Sequence, residues 1–277
     1  MAERPESEVP YPGDVDLEDE ARLQRLVLAT FPIVDQWQKV STFVPGSGSQ
    51  LKGDDTDWPP FAASQVAWFS IASAVEHLYA VRVHLEPLGE VQGTLLALAH
   101  QTLVRTALVS GSIAVWMLAP PERALRVKRA REYTAFSYDQ HRLFLAGLLE
   151  HAPEHTGTQK VLERVEQRRR ELAVVRLGSG EKSTFNTTRT IEVAASIAFP
   201  PDAAREVVLG WRVGSGAAHA LPHSLLGRPG VVPASAPDGD GTRLFTAQGS
   251  FAIIANQYMA AYYMTNQAWH LLRERGL

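Results

Sequence analysis

Cysteine is absent from all 277 residues. Disulfides, thiolate metal sites and cysteine nucleophiles are therefore excluded. A strong excess of one charge is also missing: 30 acids face 27 bases, a net charge of −3, which permits an anionic ligand without requiring one. No segment alternates apolar and polar residues at period two, and no repeat recurs along the chain, so a sheet or a solenoid is not expected. The first twenty residues lack the apolar core of a secretory signal. The most apolar run, Leu95 to Leu118, is interrupted by His100, Gln101 and Arg105 and reads as a buried core helix rather than a membrane span. A cytoplasmic protein without a membrane partner is the expectation.

The charge that is present is unevenly spread. Residues 1–20 hold eight acids (Glu3, Glu6, Glu8, Asp14, Asp16, Glu18, Asp19, Glu20) and one base, Arg4, which leaves 22 acids against 26 bases in the remainder. Residues 1–16, acidic and proline-bearing, read as a disordered tail. Residues 17–277 read as a single all-α helical domain, a bundle of about seven to eight helices.

Hydrophobic periodicity and proline punctuation place those helices. The pattern predicts one helix over Leu17–Lys39, a loop over Phe43–Asp57, and a second helix capped by Asp57 and closed by Pro87. A third spans Leu88–Leu118, apolar nearly all round and so central. Pro120-Pro121 separates it from a fourth that ends near Glu150, and a charged fifth covers Thr156–Val175 with its charges on a solvated face. A sixth starts at Thr187 or Thr188, a seventh follows Asp202 as N-cap, and the last covers Phe245–Arg275. The long loop 221–242 between the last two is either a lid or mobile.

Two motif matches carry little. His151-Ala152-Pro153-Glu154-His155 has the letters of a zinc signature, but Pro153 breaks the continuous helix that would bring both imidazoles to one face. No metal and no cofactor are expected. Gly214-Ser215-Gly216 resembles part of a dinucleotide loop, yet no strand precedes it.

The segment Gly210-Trp211-Arg212-Val213-Gly214-Ser215-Gly216-Ala217-Ala218-His219 carries more. It joins a guanidinium, a hydroxyl and an imidazole in a run of small residues. At 3.6 residues per turn, Arg212 and His219 fall on one helical face. Each glycine costs on the order of 1 kcal/mol of helix stability, which implies close approach of another backbone or of a ligand.

Arg212, six residues, then His219 resembles the R-x4–6-H motif of the HEPN superfamily of helical proteins. Leu103-Val104-Arg105-Thr106-Ala107-Leu108, followed by Trp116-Met117-Leu118-Ala119-Pro120, Arg123 and Arg129, is similar to a pattern in uncharacterised actinobacterial helical proteins. Those proteins carry a segment like Trp211–His219 downstream. The resemblance implies a HEPN-like fold and an RNA-directed effector of toxin or antiphage type, either a metal-independent endoribonuclease or an RNA binder. It implies His219 as general acid/base toward a ribose 2′-OH and Arg212 as the phosphate clamp, with Ser215, Arg105, Arg126 and Arg129 as substrate-binding residues. It further implies a homodimer and a protein partner of antitoxin kind. Val213 stands where active members usually carry a polar residue, so binding without cleavage belongs to the same expectation. The alternative is a noncatalytic scaffold or regulatory module in which the glycine face is a dimer or partner contact.

Overall fold

Apolar residues recurring every three to four positions build helices, and proline, glycine and polar turns end them. The computed structural model describes residues 17–86, 93–226 and 228–277. The tail expected over residues 1–16 and the helix start expected at Leu88 lie outside those residues. The described chain is mostly helical: α1 (Leu17–Leu28), α2 (Phe31–Gln38), α3 (Gln50–Asp55), α4 (Ala63–Leu85), α5 (Ala99–Leu118), α6 (Arg123–His151), α7 (Thr156–Gly178), α8 (Thr187–Ala198), α9 (Pro201–Ala218) and α10 (Phe251–Gly276). Between α9 and α10 two three-residue strands, β1 (Val231–Pro233) and β2 (Phe245–Ala247), pair antiparallel. The all-α class expected from the sequence is what forms.

Several boundaries differ from the sequence pattern, each for a local reason. The helix expected over 17–39 is two helices, because Pro32 lacks an N–H and sits in a new first turn. Thr30 holds that corner, donating to the Val27 carbonyl at 2.7 Å and lying 2.8 Å from the Tyr258 hydroxyl. The loop expected over 43–57 contains α3, whose start is capped by the Ser49 hydroxyl accepting from the Lys52 N–H. Asp57 does not cap the next helix. It pairs with Arg131 at 3.2 Å, and the Ala62 N–H at the start of α4 donates to the Gln65 side chain instead. Asp202 lies in the first turn of α9, behind Pro201, rather than at the cap. The long loop 221–242 is partly folded: the Asp238 carboxylate accepts from the Asp240 and Thr242 N–H groups at the tip between β1 and β2. Three-residue strands are too short to leave an alternation that a sequence reading can detect.

Helix α5 is the centre of the bundle, with α4 and α10 against it and α8 and α9 beside them. Gly111 permits the approach of α10, since a Cβ there would lie 3.2 Å from the Met264 side chain and 3.3 Å from the Thr265 backbone. Leu108, Met117 and Leu118 of α5 meet Tyr258, Met264 and Leu272 of α10 in a core that excludes water. Arg275 on α10 donates to the Leu118 carbonyl, one of the carbonyls α5 leaves without a partner at its end. Among the described residues one helix, Ala99–Leu118, is long and apolar enough to cross a membrane, and it is mostly buried inside the bundle. Helices α6 and α7 pack chiefly on each other, and the first part of α6 leans on α3, α4 and α5. Their junction falls at Pro153, so the two histidines of the zinc-like motif are on either side of a helix break, and His155 serves as the N-cap of α7.

Candidate functional site

The glycines of α9 have definite occupants. A Cβ at Gly210 would lie 3.1 Å from the Gln257 side chain of α10. One at Gly214 would lie 2.8 Å from Arg105 Cβ and 3.1 Å from the Gln101 carbonyl of α5, and one at Gly216 would lie 2.7 Å from His223 Nε2. The stripe is therefore a row of seats for polar side chains of the same chain, with α5 brought close at Gly214. It is not a free face awaiting a partner, which removes the reason the sequence offered for placing a dimer contact on these glycines.

Because α9 rests on α5 and α8 and meets α10 only lightly, α9 and α10 diverge and leave a groove of about 720 Å³ between them. Val207, Val213, Ile253 and Ala260 are among its apolar lining residues. The loop after α9 closes one end. It begins with a 3-10 turn, Pro222–Ser224, that lays His223 over Gly216, and it reaches Gly230, which abuts Gln248 and Ser250 before α10. Arg212, His223, Arg228 and Asn256 are among the polar residues that line the groove. Glu206 also lines it, six residues before Arg212 on α9 and roughly 9 Å away along the helix axis at 1.5 Å per residue. Arg212, Arg228 and Glu206 have no ion-pair partner among the described residues. One buried acceptor at the groove wall, Gln257 Oε1, also lacks a hydrogen-bond partner among the described residues. The groove lining thus includes two guanidiniums and one carboxylate without ion-pair partners among the described residues, together with an imidazole.

The residues expected to act together are only partly brought together. Arg212 is exposed and lines the groove. His219 is exposed as well, but it follows the last residue of α9 as its C-cap and does not line the groove; its backbone N–H donates to the Ser215 and Gly216 carbonyls. The imidazole that shares the groove with Arg212 is His223. Ser215 is half-buried on α9 and is not a groove residue. Arg105 lies beneath Gly214, its Nε buried without a hydrogen-bond partner among the described residues, and is not part of the groove lining.

Arg126 and Arg129, expected to bind substrate, have structural work instead. Arg126 is 3% exposed, donates to Asp54 at 2.7 Å and 3.2 Å, and donates to the Pro120 and Pro121 carbonyls. Arg129 donates to the Trp116 carbonyl and stacks 5.2 Å above the Trp116 ring, and burial lowers its pKa from the ordinary arginine value. Both fasten α6 to the end of α5.

Little in the local sequence marks His223, Arg228 or Gln257 as groove residues. His223 and Arg228 sit in a Pro/Gly-rich stretch where nothing local distinguishes a groove wall from solvent. The adjacent carboxamides Asn256 and Gln257, which interrupt an otherwise apolar helix start, are the one signal that could have pointed there. No protein-family model matches the chain, and no curated protein or solved structure matches it either.

Proposed function

We propose that the chain is an RNA-directed effector or RNA binder of the HEPN-like kind, and that phosphate enters the groove between α9 and α10 at Arg212. The observation that carries the reading is that Arg212 and Arg228, neither ion-paired among the described residues, line one groove together with apolar side chains. A guanidinium fork meets phosphate with two parallel hydrogen bonds, and an apolar wall accepts the face of an unstacked base. Binding draws more support from this geometry than cleavage does. A general acid/base must come within hydrogen-bond reach of the proton it moves. His219 stands outside the groove, whereas His223 lies inside it. The alternative, a noncatalytic scaffold or regulatory module, draws no support from the glycine face, where Gln257, Arg105 and His223 of the same chain are seated.

Fluorescence anisotropy with a labelled single-stranded oligoribonucleotide, run across a salt series in EDTA, tests this. Arg212→Ala with Arg228→Ala should lower affinity at least about tenfold and reduce the salt slope by about 1.4, the share of two phosphate contacts on a single strand. His219→Ala should leave affinity within about twofold. Wild-type protein that binds no RNA, or a double variant that binds it equally well, would sink the proposal. Any cleavage should yield 2′,3′-cyclic phosphates and should be impaired by His223→Ala more than by His219→Ala.

A further inference from the structure

Consecutive residues on a helix point about 100° apart, and Tyr262 and Tyr263 of α10 serve two different sides through that angle. Tyr262 turns toward α2, where its half-buried ring stacks on the buried Trp37 with centroids 5.3 Å and planes 26° apart. Tyr263 lines the groove and is 51% exposed. Its ring meets that of Tyr262 at 5.5 Å and 66°, an edge-to-face contact. No other ring, and no cation, stacks on Tyr263 among the described residues. Trp37 and Tyr262 thus brace Tyr263 from within the fold. One edge-to-face contact covers at most one face of a ring, and the other is left to a ligand.

We infer that Tyr263 is the platform on which the groove stacks an unpaired base, so that its ligand is single-stranded rather than duplex RNA. The inference deepens the reading of the groove as an RNA site and rests on it. A nucleotide joins an anion to a flat π-face. Arg212 on α9 and Arg228 in the following loop offer guanidiniums to the first, and Tyr263 on α10 offers a ring to the second. A tyrosine has only two side-chain torsions to fix, and the contact with Tyr262 limits them before a ligand arrives, so little rotational freedom is lost on binding. Bases paired and stacked inside a duplex hide their faces from such a ring. At about 720 Å³ the groove also has the size of a small-ligand site, not of a cradle for a duplex.

The full chain is titrated in EDTA with a labelled single-stranded oligoribonucleotide, with the same strand carrying abasic sites, and with its duplex. Tyr263→Leu keeps an apolar side chain without a π-face, whereas Tyr263→Phe keeps the face. Tyr263→Leu should weaken single-strand binding at least about fivefold without changing the salt slope, and Tyr263→Phe should stay within about twofold. The abasic strand tests the stack without any variant: it should bind wild-type protein at least about fivefold more weakly, and Tyr263→Leu should weaken it no further, because ring and base are partners whose losses do not add. Duplex should bind at least about fivefold more weakly than the single strand. A 2-aminopurine placed in the strand should be quenched on binding wild type and Tyr263→Phe, and much less on binding Tyr263→Leu. Additive losses, equal losses for the two variants, or arginine-dependent binding indifferent to Tyr263 and to the bases would overturn the stack and leave the phosphate reading standing. Tyr263-dependent stacking indifferent to Arg212→Ala with Arg228→Ala would uphold the stack and sink the phosphate reading. Wild-type protein that binds none of the three ligands would sink both.

Discussion

Replacing Arg126 by methionine separates the two roles this residue has been given. Its guanidinium is 3% exposed and its partner, the Asp54 side chain, 1% exposed, with a 2.7 Å contact between them. Methionine fills much of the same volume but leaves a buried carboxylate without its cation and the Pro120 and Pro121 carbonyls without their donor. Breaking a buried ion pair by removing one partner costs about 3–5 kcal/mol. Arg123, whose Nε lies 3.5 Å from Asp54 and whose side chain is 53% exposed, remains as partial compensation. The expected loss is therefore near the lower end, about 3 kcal/mol, or about 6–12 °C in Tm for a chain of this size. Urea unfolding followed by circular dichroism gives the first number and thermal melts the second. Adding Asp54→Leu should recover most of the loss, since the residual charge is what destabilises. Oligoribonucleotide affinity of the folded Arg126→Met protein should be unchanged. A variant that keeps its stability to within about 0.5 kcal/mol and loses RNA affinity would refute the structural role and restore the substrate-binding one.

Gly214→Ala tests the closeness of α9 to α5. Helix propensity favours alanine by about 1 kcal/mol, while overpacking against Arg105 Cβ and the Gln101 carbonyl costs about 1–3 kcal/mol, so the net should be destabilising. Gly147→Ala on α6, where a Cβ would meet nothing within 4 Å, should instead stabilise by up to about 1 kcal/mol, and a Gly214→Ala melt that rises like this control would show the close approach to be wrong. His100 is fully buried with its ring centroid 5.3 Å from that of His84, and its pKa lies below the ordinary 6.5, chiefly through burial and then through the charge of His84. The unfolded chain then binds the proton more readily than the folded one. The contribution of His100 is complete above about pH 6.5 and is lost as pH falls below it toward the folded value. Stability measured from pH 7.5 down to 5.5 should decline, and His100→Gln should flatten that slope; an unchanged slope would place the acid sensitivity elsewhere.

The helices themselves were legible because their causes are local. Apolar spacing drew α4, α5 and α10 onto buried faces, and Pro120, Pro153 and Pro200 set ends that no tertiary contact needed to supply. The central, buried place of α5 also followed from its own letters, since a helix apolar nearly all round has no face to give to water. The glycines of α9 correctly signalled close approach, because a missing side chain that costs helix stability implies a compensating neighbour.

What approaches was not legible. The carboxamide, guanidinium and imidazole seated on Gly210, Gly214 and Gly216 come from α10, α5 and the following loop, and their arrival depends on how α9 lies across α5. Arg212 and His219 share a helical face by spacing alone, yet the helix ends at Ala218 and the loop brings His223 into the groove in place of His219. Arg126 and Arg129 look like free cations in the sequence, because the residues that engage them, Asp54, Pro120, Pro121 and Trp116, are distant in sequence or in another element. Local periodicity determines which segments are helices and which faces they bury. The partner of a charged side chain is set by long-range packing, and that is where the groove and its two unpaired arginines arise.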